Sequence, residues 1–83
     1  MPTKDRKPTP RPFRVYSAQD LGAAVRHFRT SASITQADLA AKVGIHRTYL
    51  SDLEHGHATE ALDRLLALFR ALGVRITIAK EDW

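Results

Sequence analysis

The sequence predicts an all-α fold of four helices followed by one C-terminal β-strand, and three observations predict it. Apolar residues recur at i, i+3, i+4 and i+7 in four segments, each able to bury one helical stripe. Three of those segments open on a hydroxyl residue that can cap a helix, Ser17, Thr35 and Thr59. The last segment before the end, Val74 to Ala79, switches to strict alternation with four β-branched residues, the pattern of a strand.

The 83 residues suffice for one small domain with a modest core. There is no cysteine, so neither a disulfide framework nor a thiolate metal site can reinforce it. Pairing with a second copy would. No stretch has the roughly 18 to 20 apolar residues of a membrane helix, and the N-terminus lacks the apolar run of a signal peptide. A cytoplasmic protein with no membrane partner is expected.

The net charge of +4 is unevenly placed. Lys4, Arg6, Lys7, Arg11 and Arg14 face only Asp5 within the first fourteen residues, which leaves eight basic and eight acidic side chains in the other 69. All four prolines lie in the same stretch. With donors removed by proline and little apolar surface to bury, residues 1–12 read as a disordered basic arm suited to a polyanion, or as a solubility tail. The domain proper is expected over residues 13–80, with a short tail over 81–83.

Phe13 to Tyr16 alternates too weakly to promise a strand. Ser17 with Asp20 three residues on is a capping signature, and Leu21, Ala24, Val25 and Phe28 carry the first helix to about Thr30. Thr35 and Asp38 repeat the signature for a helix through Leu39, Ala40 and Val43, ended by Gly44 in a left-handed C′ position. A second short helix, Ile45 to Glu54, follows after a tight turn, with Leu50 and Leu53 inward. His55 to Ala58 is a loop. From Thr59 a fourth helix runs to Gly73, with Leu62, Leu65, Leu66, Phe69 and Leu72 covering a core, and Leu68 on a flank with Ala61 and Leu72 that suggests an interface. The strand over Val74 to Ala79 has no evident partner in its own chain. Antiparallel pairing with the same strand of a second subunit across a two-fold axis would satisfy it, making Val74, Ile76, Ile78 and Leu68 dimerisation residues of a homodimer.

The functional prediction lies in residues 35 to 54. Ala40 is small where two helices would cross, Gly44 permits the turn, and Ile45, Leu50 and Leu53 fix the inner side of the second helix. Its outer side keeps His46, Arg47, Thr48, Ser51 and Asp52. A helix so held can enter the major groove of double-stranded DNA and present those groups to base edges, with arginine the best guanine reader among them.

The run T-Q-A-D-L-A-A-K-V-G-I-H-R-T-Y-L-S-D-L-E-H-G resembles the signature of the lambda-repressor-like, or XRE, helix-turn-helix family, and with L-D-R-L-L-A-L-F-R-A-L-G the likeness covers about residues 17–73. The resemblance implies a DNA-binding transcriptional repressor. It implies that Gln36 contacts phosphate or braces the reading helix, and that His46, Arg47 and Thr48 make base contacts. Tyr49 touches phosphate or packs on the domain. Ser51 and Asp52 lie one turn on, the hydroxyl suited to phosphate or base, the carboxylate only to a cytosine amino group. Within the family, V-Y-S-A-Q-D-L-G, a strand after A-L-G in place of a fifth helix, and an acidic residue before Trp83 resemble the HipB-like antitoxins. That likeness implies autoregulation of an operon, a HipA-like serine/threonine kinase toxin as partner, and Trp83 as the residue that engages it. The tail here is shorter and the basic arm longer than in that branch. A free-standing regulator and a protein-interaction module are the competing readings.

An enzyme is not expected: the sequence has no cysteine nucleophile, no glycine-rich phosphate loop, and no serine, histidine and acid that spacing alone would assemble. No cofactor is predicted. Glu54, His55 and His57 lie close, but no second cluster completes a tetrahedral metal site, and His27 has no partner visible in the sequence.

Overall fold

A computed structural model describes residues 13–81. The basic arm over 1–12 and Trp83, with the contact expected of it, lie outside the described residues. The order of elements is β1 (Phe13–Val15), α1 (Ala18–Ser31), α2 (Gln36–Val43), α3 (Arg47–Glu54), α4 (Glu60–Ala71) and β2 (Ile76–Ile78). The four helices and the C-terminal strand are those the sequence predicts, although β2 is shorter than Val74 to Ala79.

Local chemistry sets the helix starts. At α1 the Ser17 hydroxyl accepts from the Asp20 amide while the Asp20 carboxylate accepts from the Ser17 amide, a reciprocal capping box that satisfies two end donors. Thr35 and Thr59 accept from the Asp38 and Leu62 amides in the same way.

The expectation of a strand without a partner in its own chain is corrected. β2 pairs antiparallel with β1, in the register Phe13 to Ile78, Arg14 to Thr77 and Val15 to Ile76. The weak alternation of Phe13 to Tyr16 concealed β1, whose stability comes from packing. Val15 is buried, and the Phe13 ring lies 5.0 Å from His27 and 5.7 Å from Phe28, centroid to centroid. His27, partnerless in the sequence, thus meets an aromatic neighbour. Ile78 lines an apolar groove of about 330 Å³ with Ala24, Val25 and Phe28 of α1. Ile76 and Ile78 are half-buried and Val74 is exposed. The case for Val74, Ile76 and Ile78 as dimerisation residues therefore loses its premise of an unpaired backbone.

The core is built of small residues at the crossing of α1 with α3. Ala18, Ala24, Ala40, Leu50 and Leu66 are buried with Val15. A Cβ built on Gly22 would stand 1.9 Å from the carbonyl oxygen of Leu53, so the two helices approach to backbone contact and only glycine fits. On α4 the expected core is narrower than predicted. Leu66 is buried and Leu62 and Phe69 are half-buried, but Leu65 and Leu72 are exposed, together with Leu68. No helix among the described residues is long and apolar enough to cross a membrane.

Candidate nucleic-acid interface

The turn between α2 and α3 closes on one carbonyl. Gly44, with φ of 84°, donates to the oxygen of Ala40 at 2.8 Å, and Ile45 donates to the same oxygen at 3.0 Å. The left-handed conformation at Gly44 reverses the chain within two residues. Ile45 is consumed by this turn and His46 is extended, so α3 begins at Arg47 rather than at Ile45. His46 occupies the N-cap position, and its side chain makes no capping hydrogen bond.

Helix α3 is two-sided. Leu50 is buried, and Ile45 and Leu53 are half-buried beneath it. His46, Arg47, Thr48, Tyr49 and Asp52 are exposed, and Ser51 is half-buried. The six outer residues singled out from the sequence therefore stand together on the first two turns of one helix, five of them open to a ligand. At its far end the helix is closed by its own loop: the His55 imidazole Nδ1 lies 2.7 Å from the Ser51 carbonyl, and the His57 amide donates to the Asp52 carbonyl at 2.8 Å. Among the described residues, no group of three or more histidine, cysteine or acidic side chains is placed to hold a metal.

The seventh residue, Gln36, faces inward to a network that the sequence did not reveal. Glu54, at the last position of α3, receives Arg29 Nε on Oε2 at 2.6 Å and Arg29 Nη2 on Oε1 at 2.9 Å. Gln36 Nε2 donates to the same Oε1 at 3.0 Å. Arg29 also donates through Nη1 to the Ile34 carbonyl at 2.9 Å. One guanidinium thus ties the end of α1, the loop before α2 and the end of α3, while Gln36 ties α2 to the same carboxylate. The Glu54 side chain is 2 % exposed. Fork geometry of this kind is among the stronger charge-assisted contacts. The hydrogen bond from Arg29 holds the Glu54 carboxyl below its usual range, overcoming burial, and Gln36 adds to the effect. The same bond raises Arg29 against its own desolvation. Glu54 was singled out only for a metal, and Arg29, 25 residues away, carried no local signal.

A family model described as helix-turn-helix matches residues 25–78, a span from the middle of α1 to the end of β2 that includes the whole α2, Gly44 and α3 unit. The chain belongs to the helix-turn-helix family. It is similar to the control protein C.BamHI of Bacillus amyloliquefaciens, 42% identical over 55 residues that cover 65% of this chain and 68% of that protein. It is also similar to the HTH-type transcriptional regulator y4mF of Sinorhizobium fredii, 32% identical over 65 residues, covering 78% of this chain and 86% of that one. The immunity repressor protein of Bacillus phage phi105 is 32% identical over 69 residues, 75% of this chain but only 48% of the phage protein. No solved structure matches. In this helix-turn-helix protein, α2 and α3 are the two motif helices and α3 is the second, the element that enters the groove in such motifs.

Proposed function

We propose that the protein is a sequence-specific DNA-binding transcriptional repressor that acts as a homodimer, with α3 as its reading helix. One observation carries the proposal: α3 is fixed from behind by Leu50, by Gly22 and by the Arg29, Glu54 and Gln36 network, while His46, Arg47, Thr48 and Tyr49 are left exposed at its N-terminal end. A rigid inner face and a polar, partly basic outer face are what major-groove readout requires. Arg47 is assigned to guanine, His46 and Thr48 to base edges, Tyr49 and Ser51 to the backbone, and Asp52 to a cytosine amino group. Gln36 is assigned the bracing role, since its amide nitrogen is committed to Glu54.

Gel-shift titration with the DNA upstream of the protein's own gene, against scrambled DNA of equal length, tests the reading. Retention of the upstream fragment at concentrations that leave the scrambled one free is expected. Equal retention of both, or of neither, would overturn it.

A second reading, the antitoxin of a HipA-like kinase, is favoured by one feature. The V-Y-S-A-Q-D-L-G segment that carries that resemblance supplies the buried end of β1 and the capping box of α1, so it is built into the fold. Capture of a kinase from the native operon by the tagged protein tests it, and Trp83→Ala should then weaken capture without changing DNA binding.

A further inference from the structure

Helix α4 carries two apolar stripes, and the chain covers only one. Leu62, Leu66 and Phe69 face the core. Ala61, Leu65, Leu68 and Leu72 recur at steps of four, three and four, which places them on one line along the helix, and all four are exposed. Leu65 is 47%, Leu68 60% and Leu72 71% exposed. A four-three-four spacing of leucine is the pattern of a seam between two helices.

We infer that this stripe is the dimer interface, and that its occupant is the same stripe of a second copy, the two α4 helices running antiparallel across a two-fold axis. The inference rests on the homodimer reading above and replaces the strand with the helix as the surface that makes it. The stripe is complementary to itself. With the axis between residues 66 and 67, Leu65 of one copy stands opposite Leu68 of the other, and Ala61 opposite Leu72, so a small residue meets a large one twice. Self-complementarity of this kind is what an interface related by a two-fold axis demands. The flank beside the seam carries Ala67 and Ala71, both exposed and small enough to let a partner helix approach. The charges on that flank are Glu60 and Arg64, already paired at 3.1 Å within the helix. In the antiparallel register the two Arg64 side chains are offset by about 7 Å along the axis, so they do not confront each other. The alternative surface is already engaged, because β2 is paired along one edge by β1 and its Ile78 packs toward α1.

A seam on α4 relates the two α3 helices by a two-fold axis, so the dimer would read two inverted half-sites. The chain has no cysteine, which allows a direct test in the full-length protein. Leu65→Cys and Leu68→Cys variants, mixed and oxidised, should form the mixed disulfide in excess over either symmetric one. Parallel or unrelated contacts would give no such excess and would overturn the antiparallel seam. Leu68→Glu should keep its helical circular dichroism and sediment as a monomer at concentrations where the unmodified protein is a dimer. It should bind a single half-site normally and the full palindrome about 100-fold more weakly, because the two half-sites are no longer engaged by linked readers. A Leu68→Glu protein that still sediments as a dimer overturns the α4 interface and leaves the homodimer reading intact. An unmodified protein that is monomeric at every concentration overturns both.

Discussion

The two ends of the domain are finished to different degrees. Around α1, α2 and α3 the polar groups are satisfied within the chain: Glu54 takes three donors, Arg29 serves two elements, and Gly22 lets α1 rest on the backbone of Leu53. At α4 three leucines and Val74 are left half or more open to water. The first region needs a fixed geometry to aim a helix at a ligand, and the second has surface to spare for a partner. A substitution in the first should unfold or misdirect the protein, whereas the same kind of change on the outer side of α4 should leave the fold alone.

The strongest way to break this contrast is Gly22→Ala. Its added methyl meets backbone that has no side-chain freedom to yield, and the expected loss is about 3 kcal/mol or more in urea unfolding. Gly44→Ala meets no atom within 4 Å and suffers only from its positive φ, so it should cost about 1 to 2 kcal/mol. Equal losses at the two sites would show that α1 and α3 have room to separate.

Within α4, Leu66→Ala should cost about 2 to 4 kcal/mol because the side chain is buried. Leu68→Ala, measured at concentrations that keep the chain monomeric, should stay within about 0.5 kcal/mol of the parent. A comparable loss at both positions would place Leu68 in the core.

Acid titration sharpens the other side of the comparison. The folded-state pKa of Glu54 lies below its ordinary value, so the unfolded chain binds the proton more readily. The stabilisation is complete above the unfolded-state pKa of about 4.3 and is lost as the pH falls through the lower folded-state value. Glu54→Gln should therefore flatten the dependence of the melting temperature on pH below about pH 4.3. An acid limb as steep as the parent's would assign the sensitivity to another carboxylate.

On the exposed face, Arg47→Ala should leave the melting temperature unchanged and weaken operator binding by about 1 to 3 kcal/mol. If binding to scrambled DNA falls equally, Arg47 contacts phosphate. The smallest effect is expected from removing residues 1–12, which should reduce the slope of log K against log salt by about 0.9 for every phosphate that the arm neutralises. An unchanged slope would make the arm a solubility tail.

What the sequence disclosed were the features written within a few residues of each other. Ser17, Thr35 and Thr59 cap helices where they stand, and Gly44 turns the chain where a left-handed residue was expected. The outer face of α3 followed from the period of Ile45, Leu50 and Leu53. Features that depend on distant residues stayed hidden. β1 exists because β2 lies about 60 residues on, and Glu54 is stabilised by Arg29 of another helix. Leu65 and Leu72 were placed in the core because both lie near its edge on a helical projection, and only the position of α1 decides which side of that edge is dry. The Gly22 approach had no signal at all, since a glycine inside a helix usually reads as a defect.

The closeness of Gly22 to Leu53 also bears on how far the reading unit can be moved. Residues 35–54 are commonly pictured as a portable pair of helices, yet here the far end of α3 is held by a carboxylate whose guanidinium partner sits on α1, and its backbone rests on α1 as well. Transplanted alone, the pair would lose both restraints together and α3 would be free to roll about its own axis. A graft onto another scaffold would have to carry the chain from Ser17 onward, which makes the smallest transferable reader a unit of three helices.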